Sequence, residues 1–231
     1  MPDEARLSRL VSELGADPRY ATGSRRFPLH IGRDEAIAIA AAFAEEFDAG
    51  TQERATLAAR QGLHIYCKAG CSSCCEIMVM IYRPEALAIA DWLNHPDNAE
   101  VKAHFLAAYA LWRAAVGDTP ERLTRLFAAG NQTEYDALHM EQWHKQVMCA
   151  FNREGRCTIY PVRPLACRNA HALDTDANCR AESGRKAAAV SFVPLERLLQ
   201  SATRIFRAAH NATSPRRHEQ QSICAFVHSL L

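Results

Sequence analysis

The sequence predicts a mostly α fold, an irregular helical domain with a small β-hairpin and a cysteine-rich metal-binding centre. Three observations carry that expectation. Apolar residues recur at helical spacing over most of the chain, and only two short stretches have the character of strands. Nine cysteines stand in 231 residues, four of them between positions 67 and 75. The composition, 48% apolar and 23% charged, is that of a chain able to bury one full hydrophobic core.

The elements follow in order. Leu7, Leu10, Val11 and Leu14 make residues 3–14 a short amphipathic helix, and 16–32 read as loop. Asp34 is placed to cap a second helix whose apolar face is Ile37, Ala40, Ala41, Ala44 and Phe47, with Gly50 a break before Thr51 resumes it. Residues 77–81 are all apolar and too few for a helix, so they read as a buried extended segment. Pro84 suits the first turn of a helix that stops at His95 and Pro96. Further helices are expected over 99–116, 120–129 and 134–148, the last opened by a Thr133-x-x-Asp136 box.

Residues 149–160 hold two short runs around a polar turn, which signals a hairpin. With Arg153-Glu154-Gly155 as its loop, Phe151 faces Cys157 and Cys149 faces Ile159, so both thiols lie on one side of the ribbon. Pro164 then opens a helix that puts Cys167 near its N-terminus between Arg163 and Arg168, a setting that favours thiolate. Two tail helices are expected over 194–210 and 215–231, the second capped by Ser214. Cys224 in that last helix reads as a small buried apolar residue, the thiol left over from the metal set. The organisation is a 1–63 N-terminal helical scaffold, a 64–180 cysteine-cluster metal-binding region and 181–231 C-terminal helices, one compact unit overall.

Charge narrows the partners. A formal net charge of +1 with dispersed basic residues lacks the footprint of a nucleic-acid or anionic-membrane binder. The N-terminus has no secretory pattern, and the longest alanine-rich run, 36–44, is too short for a bilayer. A cytoplasmic location is expected, where thiols stay reduced and read as metal ligands or redox groups before disulfides. The implied partner is a metal ion, with no nucleic acid and no membrane; no protein partner can be named.

The stretch Cys67-x3-Cys71-x2-Cys74-Cys75 converges its thiols whether helical or looped, and Gly70 with the serine pair argues for a loop. Side chains of adjacent Cys74 and Cys75 diverge in an extended chain, so they are expected to serve different metals or neighbouring sites. His64 and His171 stand close enough in sequence to Cys67 and Cys167 to approach the same metal, as ligands or supporting groups. Arg163 and Arg168 are placed to offset thiolate charge. The first three cysteines also match the cluster motif of radical S-adenosylmethionine enzymes. Ser73 stands where those enzymes usually carry an aromatic residue, and the repeated strand-helix units of their barrel are missing.

These residues carry a resemblance: the first cysteine cluster, then Val79 and the Pro84-Glu85-Ala86 helix start, then Cys149-x7-Cys157-x-Ile159-Tyr160-x2-Arg163-Pro164-x2-Cys167-Arg168, and Cys179. The pattern resembles the YkgJ-like cysteine-cluster family, the zinc- or iron-chelating CxxCxxCC domain. The resemblance implies eight chelating cysteines: Cys67, Cys71, Cys74, Cys75, Cys149, Cys157, Cys167 and Cys179. Some relatives carry the label flagellin lysine N-methylase; nothing here supplies a methyl-donor site, and a glycine-rich G-x-G loop after a strand is absent.

Three function classes follow: a metal-binding protein holding an iron-sulfur cluster or zinc, an iron-sulfur enzyme or electron carrier, and a thiol or zinc redox sensor. All-thiolate coordination suits both metals. Three close cysteines with a distant fourth lean to iron-sulfur, while pairs at C-x2-4-C spacing, which the later cysteines lack, would lean to zinc.

Overall fold

The computed structural model describes residues 32–68, 70–173, 175–184, 189, 193–213 and 220–231. The helix expected over 3–14 and all but the last residue of the following loop lie outside them. The fold is mostly α. Helix α1 spans Arg33–Arg60 and starts after Gly32, so Asp34 lies in the first turn with Glu35 instead of at the cap. There both carboxylates face the positive end of the helix dipole. The helix runs through Gly50 without a break. What glycine supplies there is close approach: a Cβ would stand 2.6 Å from Leu195 Cδ2.

After the cysteine-rich turn, strand β1 (Met80–Ile81) leads into α2 (Arg83–Asn94), with Pro84 in its first turn. Glu85 reaches back to accept the Tyr82 N–H at 3.4 Å and, across the fold, the Leu165 N–H at 3.0 Å. Helices α3 (Ala99–Val116) and α4 (Thr119–Ala129) follow as the sequence predicts. Helix α5 spans Gln132–His144 and is capped by Asn131, whose side chain accepts the Glu134 N–H at 3.3 Å, in place of the expected Thr133 box. It stops short of residue 148 because Gln146 turns to φ 53, which no helix continues.

The hairpin is present with a shifted register. Strands β2 (Asn152–Arg153) and β3 (Arg156–Cys157) pair Asn152 with Cys157 and Arg153 with Arg156. The loop is therefore the two residues Glu154 and Gly155, both left-handed at φ 54 and φ 79. Positive φ at both central positions is the type I′ turn, whose twist matches that of the strands; it outcompetes the three-residue loop and puts Asn152, not Phe151, opposite Cys157.

Helix α6 (Leu165–Asn169) begins just after Pro164, and α7 spans Val193–Thr213. The last helix is shorter than expected. Strand β4 (Gln221–Ser222) pairs antiparallel with β1, Met80 opposite Ser222, and α8 covers only Ile223–His228. Ser222 caps it by accepting the Ala225 N–H at 3.3 Å. The start of the expected helix falls outside the described residues.

Two apolar clusters share α2 as a wall. On one side Leu87 packs with Phe43 and Phe47 of α1 and with Leu198 and Phe206 of α7; Phe43 meets Phe206 edge to face at 5.5 Å between centroids. On the other, Ile89, Ala90 and Leu93 pack with Phe105, Phe151 and Phe226, and Phe105 stacks on Phe151 at 4.1 Å. The second cluster reaches Cys149 and Cys157, so the core backs directly onto the thiols.

Candidate metal centre

The segment leading to Cys67 is held by the chain beyond α6. Ile65 and Leu173 form an isolated antiparallel bridge, and the Tyr66 N–H donates to Ala172 O at 2.9 Å. In return the Ala172 N–H donates to Cys67 Sγ at 3.3 Å. Gly70, at φ 92, turns the chain, and Ser73–Glu76 form a single 3-10 turn, so the cysteine stretch is a loop and not an α-helix. The Cys149 N–H donates to Cys75 O at 2.8 Å, which places the later cysteines against the first group. The hairpin tip closes the other side: a Cβ on Gly155 would lie 3.3 Å from Gly70 O.

The thiols influence one another in two groups that cut across their order in sequence. Cys179 is raised by burial and then by Cys67 and Cys71. Cys67 is raised by burial and by Cys71. Cys157 is pushed up to about 11 by burial, with Cys149 and Cys75 adding to it. Burial pushes the Cys167 thiol up, with Cys149, Cys157 and Cys75 acting in the same direction. Cys74 and Cys75 join the groups. The Cys74 thiol donates to Cys75, raising Cys74 and lowering Cys75 to about 7, and Cys74 also feels both Cys167 and Cys67. Cys67 and Cys74 are exposed, whereas Cys75, Cys149, Cys157 and Cys167 are half-buried.

Burial raises the Cys167 thiol, against the thiolate that its helix position and flanking arginines favour from sequence. Burial and three cysteine neighbours dominate its short helix, and the flanking arginines are turned elsewhere. Arg168, 3% exposed, pairs with Asp48 and donates to Arg163 O at 2.8 Å and Pro161 O at 2.6 Å, which makes it a clamp on the turn before α6. Arg163 stacks on exposed Tyr160 at 3.8 Å and its charge lowers Cys67 and Cys157. His171 Nδ1 is 2.9 Å from Asn169 O.

Two groups and one contact were missed from sequence. Arg54 is 2% exposed on α1, where helical periodicity marks it as one more polar residue. Its Nη1 donates to Asn169 Oδ1 at 2.9 Å, and the guanidinium, lowered by burial, is pulled back up by Cys67. Asn152 lies beside the Cys75 thiol and lowers it, although its buried Nδ2 completes no hydrogen bond of good geometry. Cys224, buried as expected, puts its Sγ 3.6 Å from Cys149 Sγ.

Among the described residues no three His, Cys, Asp or Glu side chains stand at the mutual spacing of a formed metal site. The donor set nevertheless fits a thiophilic metal. Among the described residues Arg54 Nε and Arg163 Nε are buried without hydrogen-bond partners, and both guanidinium charges act on the Cys67 thiol, the sign that anionic sulfur would need. Residues 66–184, just over half of the chain, match the family model described as "CxxCxxCC: Putative zinc- or iron-chelating domain". The chain belongs to this family. Cys67, Cys71, Cys74, Cys75, Cys149, Cys157, Cys167 and Cys179 all fall within the CxxCxxCC domain so defined, and Cys224 lies beyond it. No curated protein and no solved structure is similar enough to the chain to be matched to it. Among the described residues no helix is long and apolar enough to cross a membrane.

Proposed function

We propose that the chain is a cytoplasmic metal-binding protein whose eight family cysteines hold zinc or iron in two adjoining sets. The outer set is Cys67, Cys71, Cys74 and Cys179; the inner set is Cys75, Cys149, Cys157 and Cys167. What supports this division is that Cys179 answers to Cys67 and Cys71 while Cys167 answers to Cys75, Cys149 and Cys157; Cys74, which feels Cys75, Cys167 and Cys67, is assigned to the outer set to complete its four. Each set supplies the four sulfurs a tetrahedral ion takes, and each thiol gives its proton to solvent as the ion binds. Four thiolates around a divalent ion leave a charge of minus two, which Arg54 and Arg163 stand ready to offset.

A second reading has one supporting observation of its own. Cys179 completes three closely spaced cysteines as their distant fourth, the arrangement iron-sulfur proteins use, so the outer set suits a cluster. Serine variants test the division. Cys179→Ser should lower the metal content of the outer set and spare the inner one, and Cys157→Ser the reverse. Paired loss of all metal from either variant would overturn the two-set assignment, and acid-labile sulfide that disappears with Cys179→Ser would decide for the cluster.

A further inference from the structure

Cys149 and Cys224 form a contact that the eight-cysteine reading leaves unused. Their sulfurs are 3.6 Å apart. Around a tetrahedral ion with metal–sulfur bonds of about 2.3 Å, neighbouring sulfurs lie about 3.8 Å apart, so this spacing is that of one edge of such a site. A disulfide would need sulfurs at about 2.05 Å.

A cavity of about 10 Å³ adjoins the pair, lined among others by Cys75, Glu76, Trp112, Gln142, Cys149 and Cys224. That is room for one water or one ion. Two oxygens on its wall lack hydrogen-bond partners among the described residues. Gln142 is 1% exposed with its Oε1 unpartnered, and the buried Oε2 of Glu76 is unpartnered as well. A buried amide oxygen kept without a donor is costly, and a cation beside it removes the cost.

We infer that Cys224 is a ninth metal ligand, which with Cys149, Cys75 and the Gln142 carbonyl binds one divalent thiophilic ion of the zinc type in this cavity. The inference rests on the metal-binding reading and extends it past residue 184, where the family match ends. Cys75, Cys149 and Cys224 each release to solvent any proton they still carry as the ion binds. Three thiolates and a neutral carbonyl leave a charge of minus one on a divalent centre, less than four thiolates would place against the apolar core. Cys75 and Cys149 also act electrostatically on Cys157 and Cys167, so in this inference the ion adjoins the inner set and the shared thiolates bridge the two. The element drawn in is the C-terminal one: α8 carries Cys224, and Ile223 N–H already donates to Val79 O at 2.9 Å, next to the cysteine turn.

The test compares zinc-loaded wild-type full chain with Cys224→Ser and Gln142→Ala, followed by cobalt substitution to read the sulfur-to-metal charge-transfer band. Wild-type protein should hold about one zinc ion per chain more than Cys224→Ser, and the cobalt band of that variant should weaken. Gln142→Ala should keep the band and release the ion at a lower chelator concentration. Equal zinc and equal band intensity in wild type and Cys224→Ser would overturn the inference, as would a Cys149–Cys224 disulfide recovered from zinc-loaded protein. Wild type that takes up no zinc or iron would remove the underlying metal reading as well, an outcome distinct from a loss confined to the variant. Should the variants fail to fold, anomalous diffraction from zinc-loaded wild type decides: a zinc peak at about 2.3 Å from Cys224 Sγ supports the inference, and peaks only elsewhere overturn it.

Discussion

Arg54 stands where a metal-bound Cys67 thiolate needs a positive partner, buried, held by Asn169 and with one N–H unspent. Groups that orient or balance ligands typically matter about 10- to 100-fold in metal affinity. Arg54→Leu should therefore weaken metal retention by about 10-fold in chelator competition, with Arg54→Lys recovering part of it; unchanged retention in both would remove Arg54 from the centre. Glu85 makes the opposite argument. Burial raises its carboxyl to about 7, with the Leu165 and Tyr82 N–H groups and Arg168 pulling the other way, so the neutral acid is the form the fold prefers. A raised acid pKa contributes stability that is present in full below its unfolded value near 4.5 and is lost as pH rises through about 7. Glu85→Gln should flatten the pH dependence of stability between these values, measured by denaturant unfolding, and an unaltered profile would show that Glu85 does not titrate in this window.

At the scale of elements, the hairpin holds Cys157 against the first cysteine group, and its turn carries an identifiable strain. Glu154 occupies the left-handed region at φ 54, which costs an ordinary side chain about 1 kcal/mol. Glu154→Asn, the residue preferred in this turn, should raise stability by about 0.5–1 kcal/mol without altering metal content. Gly155→Ala should lower it, because a Cβ there meets both φ 79 and Gly70 O. The opposite signs, read from thermal unfolding, check the turn assignment. The hairpin also shows how far sequence could go. Its existence was legible in the apolar runs around Gly155, but its register depended on Glu154 accepting positive φ, which composition does not announce. Helices α2 and α4 were legible because proline and apolar spacing agree there, and α3 from its apolar spacing. The last helix was not: β1 takes residues 221 and 222 into a strand pair, a tertiary preference that local helical periodicity cannot reveal. Likewise the sequence offers the cysteines as candidates, but the influence of Cys67 and Cys71 on Cys179 comes only from the fold, and Arg54 needed the long α1 to turn a charged residue inward.

For the molecule as a whole, the proposed centre would draw its thiols from loop, hairpin, short helix and C-terminal helix, and Cys149, Cys157 and Cys224 already pack against the core beside α2. Such a centre is absent from the unfolded chain, so metal binding is linked to folding. At a metal concentration about 1,000-fold above the dissociation constant this linkage is worth about 4 kcal/mol, which for a chain of this size corresponds to of the order of 10 °C in Tm. Exhaustive chelation should lower the melting temperature by that order and metal return should restore it; coincident curves from loaded and verified metal-free protein would separate the thiols from stability. The most direct measurement is metal and acid-labile sulfide analysis, with a visible spectrum, of protein purified anaerobically without chelators. Zinc or iron bound in stoichiometric amount, colourless for zinc and coloured with sulfide for an iron-sulfur cluster, is the predicted result. Folded protein that carries no metal and takes up neither zinc nor iron on titration would contradict the account.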